Sequence, residues 1–513
     1  MASRGSDTSK LIQESYGDSL AIEMEGHGLL EAASINERVD ALVIRGISDL
    51  LDKKAESDAL GSQELAAAHA SAFAFELLAN IEPATLQPLP PTTEAPSLRE
   101  LPDYPPPQAK ADVRIVDVAG KGHHRTIGEA IEAATPGEQI FVRPGLYEEP
   151  IVLTKVLELV GDGRPDDIVV QCTKTSCMSF RTTLGRVSNI TFRQMGATDE
   201  PCIDIGQGRL ELETCGVSSQ TAAGIAIRNG ADPRIRYCNI HDSKKAGIVI
   251  SSDGVGTVEE NTLFHNGEAG IEVMTGGSPT IRGNVIRDNR GPGVLVHDQG
   301  TGVLDGNDIF GNEDGVSVKV SSKLTILRNT IRDNADAGVR VGGQAEGVVE
   351  LNKIDGNKQG VAVALESRCT IRENRIRGSS GSGIQLSAGS HAVIERNKIS
   401  EHSYFGIHVY SESSANIRQN QIHSCSSSGI HVGEKASATI EGNRVARNQH
   451  FGVDVNGPAL IVIRGNRIIK NKSVGVRAQK IDVLTLENND LRENLIPKSL
   501  ADIATIFDSG NKE

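Results

Sequence analysis

The chain has 513 residues and a formal net charge of -14, which favours solubility and argues against general binding to nucleic acids or anionic membranes. Its 54 glycines, 3% aromatic residues and lack of tryptophan are typical of a repetitive fold with tight corners and a core of small aliphatic residues. The seven cysteines form no CxxC pair and no metal-type spacing with histidine, so we expect buried, reduced thiols and no metal centre.

The first segment, residues 1–83, alternates short apolar strands with helices. The runs "LAIEMEG" and "ALVIRGI" suit buried strands, and "GSQELAAAHASAFAFELLANI" has a helical apolar period. This order predicts an α/β unit.

Two stretches of this segment, "AIEMEGHGLLEAA" and "ALVIRGISDLLD", closely resemble the C-terminal third of the nucleoside phosphorylase and methylthioadenosine nucleosidase superfamily. The resemblance implies that Glu25 hydrogen-bonds the ribose hydroxyls of a nucleoside while Met24 packs on the sugar. It also implies that Asp49, placed by Ser48, protonates purine N7, as N-glycosidic cleavage requires.

The earlier strands of that superfamily have no counterpart in the sequence. We therefore expect a truncated, inactive module: a degenerate remnant, or a fragment completed by a second chain or by upstream sequence. Completion by a second copy would make the protein a homo-oligomer.

Residues 84–111 follow with eight of the chain's 19 prolines and predict a semi-stiff linker, with a docking peptide at "LPDYPPP" as the alternative.

Residues 112–495 are predicted as one β-helix domain that begins with a helical cap. In "RTIGEAIEAATPG" the apolar residues recur at i, i+3, i+4 and i+7, which indicates a short amphipathic helix that ends at Pro136-Gly137. The apolar face of this helix consists of Ile127, Ala130, Ile131 and Ala134.

From about residue 210 the sequence repeats every 22 or 23 residues. Asparagines that recur at this interval form one ladder, and each is followed two residues later by an aliphatic residue. Glycines that recur at the same interval form another ladder, and each opens a G-[IV]-x-[IVLA] strand. This period is too short for two packed helices, so it predicts a parallel β-helix with stacked asparagines at a corner that tolerates left-handed backbone. The asparagine ladder comprises Asn261, Asn284, Asn307, Asn329, Asn352, Asn374, Asn397, Asn420, Asn443, Asn466 and Asn489. The glycine ladder comprises Gly224, Gly247, Gly270, Gly293, Gly315, Gly338, Gly360, Gly383, Gly406, Gly429, Gly452 and Gly475.

The stretches "TIGEAIEAATPGEQIFVRPGLYEEPIVL" and "LELVGDG" resemble the opening of pectin methylesterases and of the β-helix in certain F-box ubiquitin-ligase adaptors. The repeats resemble those of pectate lyases, periplasmic copper-site maturation proteins and the same adaptors. The implied fold is mainly β, a right-handed parallel β-helix, with residues 496–513 as a C-terminal cap or tail. This fold hosts both polysaccharide enzymes and binding scaffolds, so it does not decide the activity.

A column of alternating charges stands two residues before each asparagine-register position. Neighbours in this column would be cross-strand partners, so a one-coil slip would bring like charges together. We interpret the column as register control, interrupted only at Leu327. It runs Glu213, Arg236, Glu259, Arg282, Asp305, Leu327, Glu350, Arg372, Glu395, Arg418, Glu441, Arg464 and Glu487.

The column two residues after each ladder glycine carries the candidate site. It predicts His408, His431 and Asp454 as consecutive neighbours on one face, with Tyr410 beside them. Two imidazoles and a carboxylate at about 4.8 Å intervals suit metal binding or acid-base chemistry, and three polar residues on a wet sheet are the alternative. A partly basic column one after each asparagine suits an acidic partner or a solvated face, and runs Lys353, Arg375, Lys398, Gln421, Arg444 and Arg467.

The sequence as a whole predicts a cytoplasmic, non-enzymatic recognition scaffold whose β-helix face binds a protein or a carbohydrate. No cofactor, metal, nucleic acid or membrane is expected. The first alternative is a carbohydrate-active lyase, esterase or hydrolase centred on His408, His431, Asp454 and Tyr410. The second is a purine nucleosidase or phosphorylase whose N-terminal module is completed by another chain.

Overall fold

The structure, a computed structural model, describes residues 113–433 and 435–513. The predicted phosphorylase-like segment and proline-rich linker therefore lie outside the described residues. From Arg114 the chain forms a parallel β-solenoid in which each strand pairs with the equivalent strand of the next coil. The mainly-β parallel architecture predicted from the repeat is confirmed.

Each full coil contributes three short strands, which stack into three faces. Face 1 contains the strands that, from Ile225 onward, lie at the ladder glycines: Ile151–Leu153, Met178–Phe180, Ile203–Ile205, Ile225–Ile227, Ile248–Ile250, Ile271–Val273, Val294–Val296, Val316–Val318, Ala337–Val341, Gln359–Val363, Ile384–Leu386, Ile407–Val409, Ile430–Val432 and Val453–Asn456. Face 2 carries the alternating charges: Arg114–Val116, Gln139–Val142, Glu158–Gly161, Leu184–Ser188, Arg209–Glu213, Arg234–Arg236, Thr257–Glu259, Thr280–Arg282, Thr301–Asp305, Lys323–Leu327, Glu346–Glu350, Arg368–Arg372, His391–Glu395, Ser414–Arg418, Ser437–Glu441 and Leu460–Arg464.

Face 3 is a separate sheet whose later strands follow the asparagine ladder: Gly145–Tyr147, Ile168–Cys172, Thr191–Gln194, Gly216–Ser219, Asn239–His241, Thr262–Phe264, Val285–Arg287, Asp308–Phe310, Thr330–Arg332, Lys353–Asp355, Arg375–Arg377, Lys398–Ser400, Gln421–His423, Arg444–Ala446 and Arg467–Ile469. The long strand Val474–Glu487 joins faces 1 and 2. It pairs with the last strand, Ile496–Ser509, which lies within the segment predicted as a cap or tail.

A seven-residue helix, Ile127–Ala133, packs beside the first coils. The Thr126 hydroxyl caps its N-terminus, where the Glu149 carboxylate also accepts two backbone hydrogen bonds, and Lys155 Nζ donates to three carbonyls at its C-terminus. The predicted apolar face of four residues is buried, which confirms the helix. A 3-10 turn follows at Pro165–Asp167. In the described part of the chain, no helix is long and apolar enough to span a membrane.

The core consists of aliphatic columns that run along the solenoid. The residue two positions after each ladder asparagine, such as Ile286, Ile331 or Ile354, is fully buried. Each such side chain contributes about 1.5 to 3 kcal/mol of transfer free energy, and stacking extends this through every coil. The seven cysteines are buried free thiols, and burial raises the pKa of Cys369 to about 12.

The ladder asparagines hydrogen-bond from coil to coil. Asn352 Nδ2 donates to the carbonyls of Ile326 and Glu350 and to Asn374 Oδ1 at 2.8 to 3.0 Å, and its Oδ1 accepts from the backbone N–H of Asn329. The corner differs in one respect from the prediction. The residue with left-handed backbone is the one before each asparagine, such as Gly283 with φ of 64 or Leu351 with φ of 58.

A second asparagine ladder lies five residues after the first and was not predicted. It connects successive coils by the same amide contacts, as between Asn312 and Asn334. A Cβ added to a ladder glycine would lie close to it: at Gly338, 2.9 Å from Asn357 Nδ2. Its members include Asn266, Asn289, Asn312, Asn334, Asn357, Asn448, Asn471 and Asn494.

The alternating charges of face 2 pair across the sheet as predicted. Arg418 Nε donates to Glu395 at 2.6 Å, and Arg464 Nε donates to Glu441 at 3.0 Å. At the interruption, Arg328 donates from Nε to Asp305 at 2.9 Å, although it lies one residue outside the column. The corner residue thus supplies the cation that Leu327 lacks.

Candidate functional site

The predicted site residues occupy one column of face 1. His408, His431, Asp454 and Arg477 are successive cross-strand partners, and each stands between two buried residues of its strand. Tyr410 follows the His408 strand directly. The structure thus brings together the four residues that the sequence singled out and adds Arg477 at the end of the row.

Asp454 is the most buried member of the site, with 4% of its surface exposed. Its Oδ2 lies 2.9 Å from His431 Nδ1, and Arg477 donates to both carboxylate oxygens at 2.6 and 3.0 Å. Burial alone raises the pKa of Asp454, but the hydrogen bonds and charges of His431 and Arg477 outweigh it and lower the pKa. The carboxylate is therefore ionised and held in place.

An aromatic layer covers the imidazoles. The Phe405 ring stacks on His431 with centroids 4.7 Å apart and contacts His408 at 4.8 Å. His408 in turn stacks on Tyr410 at 4.3 Å, and Tyr404 packs edge-on against Phe405. The result is a continuous patch of rings across two coils.

Hydrogen bonding and burial restrain this patch further. Gln385 Nε2 donates to the Tyr410 hydroxyl at 2.8 Å. Burial, reinforced by the neighbouring charge of His431, lowers the pKa of His408 to about 4. His408 is therefore neutral near pH 7 and contributes an uncharged ring to the aromatic patch. His431, by contrast, is oriented by the Asp454 carboxylate.

Phe405 and Phe451 belong to the site, although the sequence analysis did not select them. Phe451 lies against Arg477, whose guanidinium is 4.4 Å from the ring centroid. Both stand immediately before a ladder glycine, where other coils have smaller residues such as Ala246 or Ser428. That change of residue size is the signal that would have found them.

No group of three or more His, Cys, Asp or Glu side chains suitable for a metal ion occurs among residues 113–433 and 435–513. At the site itself, both oxygens of Asp454 are already engaged. The nucleoside-type residues Met24, Glu25, Ser48 and Asp49 lie outside the described residues.

An open groove of about 830 Å³ adjoins the site at the corner between faces 1 and 2. It crosses six coils, from Val320 to Lys435, and includes Ser411 and Glu412, which directly follow Tyr410. The aromatic patch thus borders an elongated depression.

Two family models match the repeats. The model "Right handed beta helix region" matches residues 223–368, and "Periplasmic copper-binding protein (NosD)" matches residues 299–450 and 424–500. The fold is a right-handed parallel β-helix.

The regions that align with curated relatives cover about a quarter of this chain. SHC SH2 domain-binding protein 1 homolog A of Xenopus laevis is 29% identical over 149 residues, 28% of this chain and 21% of that protein. The Homo sapiens SHC SH2 domain-binding protein 1 is 29% identical over 141 residues, 26% of this chain and 20% of that protein. The chain thus matches about a fifth of the length of these relatives.

Similar solved structures include the A-module of mannuronan C-5 epimerase AlgE6 of Azotobacter vinelandii. It is 15% identical, with 75% of this chain and 93% of that chain covered and a TM-score of 0.35. The Dettilon tailspike protein is 14% identical, with 54% and 62% covered and a TM-score of 0.44.

Proposed function

We propose that the protein is a non-enzymatic recognition scaffold that binds a protein partner on face 1, around His408, Tyr410, His431 and Asp454. The aromatic patch on these residues is the observation that carries the proposal. Tyr404 projects from it with 57% of its surface exposed. Exposed aromatic side chains on a rigid support are the usual anchors of protein interfaces.

The site is preorganised for binding. The Asp454 carboxylate has partners on both oxygens, and the Tyr410 hydroxyl is held by Gln385. A partner would therefore order few side chains on contact, which reduces the entropic cost of association. We retain the cytoplasm as the proposed location and carbohydrate as the alternative ligand.

The names of the relatives describe binding to an SH2 domain of SHC, which supports a protein partner. An SHC SH2 domain is therefore the first probe to test. Binding by the full chain is measured by titration calorimetry, and Tyr404→Ala is expected to lower the affinity about tenfold, or roughly 1.4 kcal/mol. The matched control is Tyr237→Ala, because Tyr237 is also 56% exposed but lies at another corner.

A carbohydrate-active enzyme is the second candidate, and the contact between His431 and Asp454 favours it. A carboxylate on Nδ1 orients an imidazole for general-base catalysis through Nε2. Product formation from polygalacturonate or polymannuronate that is lost in His431→Ala would contradict the scaffold proposal. We expect no product, since both oxygens of Asp454 are engaged and its lowered pKa keeps this carboxylate from acting as a general acid.

For the N-terminal segment we propose an inactive phosphorylase-like module. The test is incubation of the full chain with adenosine, methylthioadenosine and inosine, with and without phosphate. Release of free base that Asp49→Asn abolishes would contradict this part of the proposal and support the nucleosidase alternative.

A further inference from the structure

A ladder of basic residues runs along the outside of face 3. The first residues of six consecutive strands are direct cross-strand partners, and all six are exposed. Five are cations. The ladder consists of Lys353, Arg375, Lys398, Gln421, Arg444 and Arg467.

Most of these cations have no partner among the residues that the structure describes. Lys353, Arg375, Lys398 and Arg444 make no ion pair or side-chain hydrogen bond there, and Arg467 approaches only Asp490, at 3.8 Å. The arginines of face 2 contrast with them, because each cation of that column in these coils is bonded to a glutamate. The ladder therefore presents like charges side by side, an arrangement that costs free energy unless an anion covers it.

The neighbourhood of the ladder limits what fits. Thr330 precedes Lys353 in this column and Asp490 follows Arg467, so the basic ladder itself spans about 24 Å, five steps of about 4.8 Å. The third residues of the same strands form a second outward column beside the ladder. This column has one carboxylate, Asp355, and its Arg377 is paired with Glu401. Between Lys353 and Ile469 neither outward column contains Phe, Tyr or Trp.

We propose that this basic ladder is the docking surface for an acidic peptide segment of a partner protein, bound in extended form along the solenoid axis. A segment of about seven extended residues matches its length. Arginine and lysine clusters are a common means of recognising acidic motifs. The surface is distinct from the aromatic patch of face 1, and the inference does not depend on the function proposed there.

Charge and composition favour a short peptide over other polyanions. The chain carries a net charge of -14, which repels a long polyanion, whereas a short segment senses mainly the local cations because charges are screened within about 8 to 10 Å. Single-stranded nucleic acids usually stack their bases on aromatic side chains, which the ladder lacks.

The test uses the full chain and a fluorescein-labelled octaglutamate peptide, with binding followed by fluorescence anisotropy at low and at physiological salt. The ladder variant is Arg375→Gln/Lys398→Gln/Arg444→Gln. The matched control is Arg372→Gln/Arg418→Gln/Arg464→Gln, which removes the same charge from the neighbouring face. We expect the ladder variant to lose about tenfold in affinity and the control to change less than about twofold.

Three results would overturn the proposal: no binding by the unmodified chain, an equal loss in both triple variants, or tighter ladder-dependent binding of oligothymidylate or phosphatidylserine vesicles than of the peptide. Circular dichroism and thermal unfolding of both variants establish that they are folded. Because the side chains substituted in the ladder variant are exposed, we expect the melting curve of this variant to match that of the unmodified chain.

Discussion

His402 Nδ1 accepts a hydrogen bond from the backbone N–H of Ser379 at 3.1 Å, at a position where most other coils have an asparagine of the second ladder. His402 is completely buried, and its Nε2 lies 3.2 Å from the Ile376 carbonyl. The imidazole thus replaces an amide by offering both an acceptor, to Ser379, and a donor, to Ile376, to the preceding coil. Unlike an amide, it can gain a proton.

The first prediction concerns pH. Burial lowers the pKa of His402 from 6.5 to about 4, so the unfolded chain binds the proton more tightly than the folded chain. The stabilisation is present above about pH 6.5 and is lost as the pH falls toward 4, by about 3 kcal/mol. His402→Asn should weaken this loss, as measured by urea unfolding at several pH values.

His408 continues to titrate in the same range, so some pH dependence should persist in the His402→Asn protein. His450→Asn is the control, because His450 is exposed. Parallel stability profiles for the His402→Asn and unmodified proteins would contradict the assignment.

The second prediction concerns the first asparagine ladder. Asn352→Ala removes an amide that serves the carbonyls of Ile326 and Glu350 and the neighbouring asparagines. Leaving such groups without partners should destabilise the protein by about 3 kcal/mol, measured as a shift of the urea midpoint. Asn239→Ala, at an exposed position, should change stability by less than about 0.5 kcal/mol. Similar shifts in the two variants would refute the role of the ladder.

The third prediction concerns the aromatic patch. Phe405→Ser introduces the residue that the neighbouring coils have at Ser382 and Ser428, so the coil should still form. Binding of the SHC SH2 domain should weaken about tenfold, since the ring supports both imidazoles. Phe310→Ser on face 3 is the control, because Phe310 lies under Arg332 and outside the patch. An unchanged affinity in Phe405→Ser would argue against face 1.

The fourth prediction concerns a strained corner. Leu351 has φ of 58 and is 45% exposed, whereas the equivalent residues of two earlier coils are Gly283 and Gly306. A left-handed backbone costs a side-chain-bearing residue about 1 to 2 kcal/mol, and the extra freedom of unfolded glycine offsets part of the gain. Leu351→Gly should therefore stabilise the protein by about 0.5 to 1 kcal/mol in thermal unfolding. Leu351→Ala keeps the Cβ and should not, so a more stable Ala variant would contradict the explanation.

Much of the fold was predictable because a regular period determines which residues become neighbours. The coil-to-coil pairing of Glu395 with Arg418 and the stacking of Asn352 on Asn374 follow from spacing alone. The second ladder escaped because Ser379, His402 and Cys425 interrupt it. The residue with left-handed backbone was predicted one position too late. An asparagine in the sequence indicates that a corner contains such backbone, but not which residue of the corner adopts it.

The column of the candidate site was predictable for the same reason, but its contacts were not. That His408, His431 and Asp454 are neighbours follows from the register. The stacking of Phe405 on His431 depends on the conformation of the preceding corner and on side-chain rotamers. The sequence repeat determines neither of these. The function of the site stays a prediction.

The alternating column of face 2 has a consequence for how this molecule changes length. Between Glu350 and Glu487, removal or duplication of a single coil would set two like charges against each other at the join. Removal or duplication of two coils would restore the alternation. In this region the natural unit of growth is therefore a pair of coils, about 46 residues, twice the period of the hydrophobic core.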